Sequence, residues 1–101
     1  MDPAVWTKQV WEERTLEFDA ADSLASGDSV ASISAITVWE GTTEKTLTML
    51  SGAGTIIGNK AYAKIIAGED GHTYFVRIRL ITANGDKLED DLKVLVRNIG
   101  G

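Results

Sequence analysis

The sequence contains no cysteine, a single histidine and a single proline among its 101 residues. Without cysteine, the chain has neither a disulfide framework nor a thiolate metal site. His72 stands beside a turn at the start of an expected strand, without the partners that a catalytic or metal-binding imidazole requires. The residue types therefore favour no nucleophilic triad and no metal centre, and we expect no cofactor.

Basic residues are few, since 10 Lys and Arg against 15 Asp and Glu give a formal net charge of −5. This balance argues against a nucleic-acid partner, because phosphate binding draws on clustered Lys and Arg. The acidic residues are scattered and contain no D-x-D-x-D-G calcium loop. A hydrolase with a pair of catalytic carboxylates is the remaining enzymatic alternative. No such pair is identifiable, so the sequence predicts that the protein is not an enzyme.

Long apolar runs are also missing: none approaches the roughly 18 to 20 residues that span a bilayer. The N-terminus lacks the basic and apolar regions of a secretory signal. We therefore expect a soluble protein that is made in the cytoplasm and has no membrane partner. A chain of 101 residues is long enough for one domain with a two-layer core.

The most regular part of the sequence lies between His72 and Asn98, where apolar and polar residues alternate. This pattern predicts two half-buried strands joined at residues 83–85 into a hairpin. A two-residue Asn-Gly turn would set Leu80 opposite Glu89, which places an apolar and a charged side chain on one face. The alternation therefore rejects that turn.

A three-residue loop with a bulge and with its glycine in the left-handed conformation removes the conflict. Its register pairs apolar residues on one face and opposite charges on the other, each charged pair being worth roughly 0.2 to 1 kcal/mol. One residue, Asp90, falls opposite Ile78 on the apolar face, and we expect it near the end of the sheet, in reach of water. The predicted pairs are Leu80 with Leu88, Val76 with Leu92, Tyr74 with Val94, Arg79 with Glu89 and Arg77 with Asp91.

Turn signals recur about every 8 to 12 residues along the rest of the chain, and no segment has helical length and period. The expected strands include residues 15–20, 29–40, 44–50 and 60–67. The apolar residues of 29–40 change phase, which predicts a bulge or burial of both faces. Residues 52–59 are interpreted as a mobile loop, because their glycines do not open a helix as a phosphate site would require.

These features predict an all-β fold, an immunoglobulin-like antiparallel β-sandwich of about seven strands, with a small barrel as the alternative. We expect residues 1–13 to form an N-terminal arm and residues 14–101 to form the sandwich domain. The arm carries Trp6 and Trp11, and large aromatic side chains are costly to leave in water. They either fold back on the sandwich or dock on a neighbouring subunit.

Two stretches of the sequence together resemble a family of small immunoglobulin-like proteins encoded in tailed phages and prophages, some of which are classed as fibre-to-tail adaptors. Residues 24–32, LASGDSVAS, resemble the L-x-x-G-D-x-I-x-S opening of these proteins. Residues 61–82, which include GHTY at 71–74, resemble their V-x-V-x-L-S-G-G-x-x-G-x-x-Y-x-V segment. The resemblance covers most of residues 15–97.

Four residues in or just after the second stretch are expected to be structural. Tyr74 stands three residues after Gly71 at the start of the penultimate strand, where immunoglobulin-like sandwiches have a tyrosine corner whose hydroxyl bonds back to a preceding loop. Asn84 and Gly85 stand where the resembling family turns back into its last strand.

The resemblance implies a structural virion protein without catalytic residues, present in several copies around a symmetry axis in a neck, tail or baseplate. Its partners would be other virion proteins and further copies of the chain, in a homo-oligomer or ring. The alternative is an immunoglobulin-like surface module that binds glycans or host-surface ligands through Trp39 and Tyr62. The candidate partner contacts are Trp6, Trp11, Leu24, Ile56 and Ile57.

Overall fold

A computed structural model describes residues 4–98, and these form two β-sheets around one apolar core. Our expectations for residues 1–3 and 99–101 lie outside the described residues. In chain order the elements are strand β1 (Ala4–Lys8), β2 (Arg14–Asp19), a 3-10 turn (Ala21–Ser23), β3 (Val30–Glu40), β4 (Thr43–Glu44), helix α1 (Thr46–Met49), β5 (Leu50–Ile57), β6 (Lys60–Ile65), β7 (Thr73–Thr82) and β8 (Lys87–Val96).

Five strands form one sheet in the order β1-β8-β7-β3-β4, and three form the other in the order β2-β6-β5. Neighbouring strands are antiparallel except β1 and β8, which run parallel. Alternate residues of β2, β6, β7 and β8 point inward, as expected for sheets with one wet face. The predicted all-β class is confirmed. The most deeply buried apolar residues include Leu16, Phe18, Val38, Met49, Ala61, Ile65, Val76, Ile78, Val94 and Val96.

The predicted register of the β7-β8 hairpin is confirmed at every pair. On the wet face, Nε of Arg79 lies 2.8 Å from Oε1 of Glu89, and Nε of Arg77 lies 3.0 Å from Oδ1 of Asp91. Asp90 stands opposite Ile78, and its side chain is exposed, as its expected access to water requires.

The loop of this hairpin also follows the prediction. Gly85 has φ +88°, in the left-handed region that suits glycine. Its N–H donates to the carbonyl oxygen of Thr82 at 3.0 Å, and the N–H of Thr82 donates to the carbonyl oxygen of Asp86 at 2.9 Å. The three-residue loop keeps the even-numbered residues of both strands on the inner face, as in Leu80 opposite Leu88.

The phase change predicted within residues 29–40 has the expected cause. Strand β3 shifts register against β7 between Val30 and Ser32, and again between Ile33 and Ala35. After the second bulge Ile36 and Val38 are buried. Because of these bulges, odd-numbered residues of β3 face the core in one part of the strand and even-numbered residues face it in another.

The predicted strand over residues 44–50 is wrong between Thr46 and Met49, where the chain makes a single helical turn. The N–H of Met49 donates to the carbonyl oxygen of Lys45 at 3.0 Å. Residues two apart share a face in a strand but are rotated by about 200° in a helix. As a result Leu47 is fully exposed, whereas Met49 is buried in the core.

The predicted mobile loop over residues 52–59 is also wrong, because the chain as far as Ile57 belongs to the edge strand β5. A shift of register between Ser51 and Thr55 marks an irregularity there. Gly54 has φ +80°, and a Cβ at this position would lie 2.8 Å from Cδ1 of Ile36 and 2.9 Å from the carbonyl oxygen of Tyr62. Gly54 therefore reflects close packing of β5 on the core at this position.

The segment expected to form an arm contributes a strand to the larger sheet. In β1, Trp6 pairs with Val94 and Lys8 pairs with Val96. Trp6 is half-buried and packs against the core, Lys8 is buried, and the intervening Thr7 is exposed. Residues 4–8 are therefore an edge strand of the sandwich, and residues 9–13 cross from it to β2 in the other sheet.

Candidate partner-binding surface

The outer face of the five-stranded sheet is the first candidate surface; we define it by the side chains of this sheet that point away from the core. The backbone register aligns four of them, Val5, Lys93, Phe75 and Trp39, in a row across β1, β8, β7 and β3. Val5 is 57% exposed and Phe75 is 38% exposed. The row therefore presents apolar side chains to solvent on both sides of one lysine.

The rows beside it carry the two predicted ion pairs of the hairpin. Arg77 is bound by Asp91, whose hydrogen bond and charge raise the pKa of the guanidinium. Over the part of the chain that the structure describes, Lys87 and Lys93 take part in none of the ion pairs. The outer face thus has four basic and three acidic residues, Glu44 beside Trp39 being the third acidic one, and a formal charge of +1 on a chain of net charge −5.

An open groove of about 510 Å³ lies at one end of this face. The indole Nε1 of Trp39 donates to Oγ1 of Thr37 at 2.9 Å, which holds the ring against β3. A groove with two aromatic walls and a guanidinium at its edge suits an apolar or aromatic side chain. It is lined by Trp39, Gly41, Thr42, Phe75, Arg77 and Asp91.

The second candidate surface is the connection between β1 and β2, residues 9–13, which we call the Trp11 turn. Trp11 is 92% exposed. The turn around it is nevertheless tied down: the N–H of Glu12 donates to the carbonyl oxygen of Gln9 at 3.1 Å, and the N–H of Val10 donates to Oδ1 of Asn98 at 3.1 Å. A large aromatic side chain is therefore held in solvent by an ordered turn.

The five predicted partner contacts divide into two groups. Trp6, Leu24 and Ile56 are half-buried and pack against the core of the same chain, so their apolar surface is already used in part. Trp11 and Ile57 remain exposed, Ile57 by 68%. Of the five, these two therefore expose most of their apolar surface to solvent.

Trp11 and Ile57 lie at opposite ends of the three-stranded sheet. The Trp11 turn leads into Arg14, which pairs with Ile65 at the end of β6. Ile57 pairs with Lys60 at the start of β6. Since the longest dimension of the molecule is 49 Å, the two exposed side chains are positioned to contact different partners.

The residues expected to be structural lie in or beside turns around the core. Tyr74 is buried, and its hydroxyl accepts a hydrogen bond from the N–H of Glu69 at 3.0 Å; burial raises the pKa of this tyrosine. Gly71 has φ +82°, and its N–H donates to the carbonyl oxygen of Val96 at 2.8 Å. The N–H of Asn84 donates to the carboxylate of Asp28 at 3.0 Å.

The two residues of the alternative glycan site are not brought together. Tyr62 alternates with the buried Ala61 and Ala63 on β6, so it points outward from the three-stranded sheet. Trp39 follows the buried Val38 on β3 and points outward from the other sheet. The core separates these two outer faces, so a single glycan cannot contact both residues as that site requires.

Lys8 and Phe75 were not singled out from the sequence. Lys8 is only 1% exposed, and its ammonium donates to three backbone carbonyl oxygens, of Gln9, Val10 and Ala67. Burial lowers the pKa of Lys8, while nearby carboxylates oppose the shift. A lysine next to polar residues gives no local sign of burial. For Phe75, by contrast, the sequence does carry a signal: it is the one aromatic residue that alternates onto the same face of β7 as the two arginines.

His72 contacts two carboxylates, Glu40 at Nδ1 and Glu69 at Nε2. Because the two ring nitrogens point in different directions, this arrangement does not converge on one ion. Within residues 4–98, no group of histidine and acidic side chains is placed to hold a metal ion. None of the described helices is long and apolar enough to cross a membrane.

A two-sheet β domain that exposes aromatic and apolar side chains on a sheet face and on an ordered turn has the architecture of a structural or binding module. Residues 8–95 match the family model described as podophage GP4 fiber-tail adaptor protein gp77. The chain belongs to this family of phage structural adaptors, in agreement with the resemblance seen in its sequence. No curated protein matches the chain.

Proposed function

We propose that this protein is a non-enzymatic structural component of a tailed-phage virion that joins other virion proteins through protein–protein contacts in a symmetric assembly. The observation that carries the proposal is the exposure of Trp11 and Ile57 at opposite ends of the three-stranded sheet. An adaptor must contact two different partners, and two separated apolar contacts meet that need. Tryptophan is among the residues that contribute most of the binding energy in many interfaces, and burial of an exposed isoleucine adds to it.

We further propose that the sandwich is immunoglobulin-like. The order β2-β6-β5 in one sheet and β8-β7-β3-β4 in the other corresponds to the B-E-D and G-F-C-C′ orders of that fold. The hydrogen bond from the Glu69 N–H to the Tyr74 hydroxyl supports the same assignment, since it closes a tyrosine corner at the start of the penultimate strand. Such a domain acts by the shape and chemistry of its surface.

The direct test is complementation of a phage that lacks the gene for this chain. Wild-type protein supplied from a plasmid is expected to restore particles that carry fibres and to appear in purified virions by mass spectrometry. Ile57→Asp should reduce fibre-bearing particles, because a charge replaces an exposed apolar contact at the end of β5. Light scattering of the purified chain at several concentrations measures whether copies associate before assembly.

The control is Leu47→Asp, which changes a fully exposed leucine on α1. It should leave the number of fibre-bearing particles at the wild-type level. Absence of the wild-type chain from purified virions would refute the proposal. Equal losses in both variants would refute the assignment of Ile57 while leaving the structural role intact.

A further inference from the structure

We propose that Trp11 of one copy of the chain docks in the groove between Trp39 and Phe75 of a second copy, so that the Trp11 turn and the outer face form the contact between copies. This inference rests on the proposed symmetric assembly and names the two surfaces that would build it. The occupant of the groove is therefore a second copy of this chain, with Trp11 as the inserted side chain.

The chemistry of the two surfaces is complementary. Trp11 is 92% exposed on an ordered turn, so little conformational freedom is lost when it binds. The groove offers two aromatic side chains, and Arg77 stands at its edge. An indole can stack against the aromatic walls and receive the guanidinium on its face, which are favourable contacts for tryptophan.

The charges beside the two surfaces are paired to different extents. In the Trp11 turn, Glu12 lies 3.6 Å from Arg14 and Glu13 lies 3.1 Å from Lys64, and both carboxylates remain partly exposed. On the outer face, Lys87 and Lys93 lie outside the ion pairs of the described residues, and Lys93 lies directly opposite Phe75 in the ladder. The contact therefore rests chiefly on the aromatic side chains, and these two lysines favour an acidic neighbour over a basic one.

The same contact can also be repeated from one copy of the chain to the next. The Trp11 turn and the groove are different patches, so a copy that inserts its Trp11 into one neighbour still offers its own groove to another. A contact between two unlike patches repeats from copy to copy, and it closes into a ring when the rotation allows. The same pair of surfaces can thus supply every contact in a ring of identical chains.

Because the natural chain has no cysteine, disulfide trapping can test the contact without background. Glu13→Cys places one thiol beside Trp11, and Thr42→Cys places the other at the rim of the groove. Equimolar full-length chains carrying one substitution each are mixed under mild oxidation. We expect a disulfide-linked dimer of the two different chains, because a trapped pair needs Cα atoms within about 7 Å.

Adding Trp11→Ala to the Glu13→Cys chain should slow formation of this product by at least about tenfold, as expected when a central tryptophan is removed from an interface. Phe75→Ala in the Thr42→Cys chain should have a comparable effect. Ile57→Ala, which removes an exposed apolar side chain from the other end of the molecule, is the matched control and should leave the rate unchanged.

Cross-linking that is insensitive to both Trp11→Ala and Phe75→Ala would overturn the inference, because it would report random collision. A saccharide that binds the wild-type chain on a glycan array, and is lost in Phe75→Ala, would also overturn it by assigning the groove to a glycan. A chain carrying both cysteines should form a ladder of linked multimers in purified virions. If the chain is present in virions but forms no ladder, the inference alone is refuted. If the chain is absent from virions, the proposed function is refuted.

Discussion

The ammonium group of Lys8 donates a hydrogen bond to the carbonyl oxygen of Ala67, 59 residues further along the chain. Ala67 has φ +58°, which is uncommon for a residue with a Cβ. This bond joins the edge strand β1 to the connection between β6 and β7. The same ammonium also donates to the carbonyl oxygens of Gln9 and Val10, so it satisfies three backbone acceptors beside the core.

Replacement of Lys8 should therefore destabilise the fold. Lys8→Ala removes charge-assisted hydrogen bonds and leaves a cavity, and we expect the free energy of unfolding to fall by roughly 2 to 4 kcal/mol. Lys8→Met keeps the apolar stem and avoids the cost of burying a charge, so its loss should be smaller. Urea denaturation measures both values. A Lys8→Ala chain as stable as the wild type would contradict this account of the buried ammonium.

The two tryptophans of the N-terminal segment should respond differently to truncation. Trp6 packs against the core, so Trp6→Ala should lower the free energy of unfolding by roughly 2 to 4 kcal/mol. Trp11 is exposed, so Trp11→Ala should change it by less than about 0.5 kcal/mol. Chemical denaturation of the two variants provides a matched comparison. Equal effects would show that β1 does not pack on the sandwich as described.

Two glycines of β5 allow two costs of a glycine-to-alanine substitution to be separated: backbone strain and steric overlap of the added Cβ. Gly52 and Gly54 both have φ +80°, but an added Cβ meets nothing within 4 Å at Gly52 and meets Ile36 and Tyr62 below 3 Å at Gly54. Gly52→Ala should cost about 1 kcal/mol for the strained backbone. Gly54→Ala should cost a further 1 to 3 kcal/mol or so for overpacking. Thermal unfolding monitored by circular dichroism tests the order, and a reversed order would contradict the packing of β5.

The loss of folding stability at acidic pH should depend on Asp28. Burial opposes ionisation of this carboxyl group, but the neighbouring Thr82 hydroxyl and hydrogen bonds from the backbone N–H groups of Ser29 and Asn84 outweigh it and lower the pKa below the usual 3.8. A carboxyl group with a lowered pKa in the folded state stabilises the protein above pH 3.8, and this contribution is lost as the pH falls through the folded-state pKa.

Asp28→Asn should therefore lower the melting temperature near neutral pH and flatten its decline in acid. Asp22→Asn is the control, since Asp22 is exposed in the 3-10 turn. A wild-type acid profile in the Asp28 variant would show that this carboxylate does not link the loop before β3 to the β7-β8 hairpin.

The sequence by itself determined the hairpin, including its register, its left-handed Gly85 and its two wet-face ion pairs. It also indicated the all-β class, the phase change in β3 and the adaptor family. These features depend on alternation with period 2 and on turn residues, which act between neighbours in the chain. For Trp6 and Trp11 the sequence left two alternatives open, packing on the sandwich or docking on a neighbouring subunit.

Only the tertiary structure decided where β1 lies, why Lys8 is buried, and that residues 46–49 form a helical turn. The parallel pairing of β1 with β8 joins residues 88 positions apart, as in Ala4 with Leu92, and leaves no periodic signal near either. Helix α1 alternates like a strand, and packing of Met49 in the core selects the turn. Likewise, Trp39, Phe75 and Lys93 become one surface only when three strands are side by side, because cross-strand neighbours are set by long-range pairing.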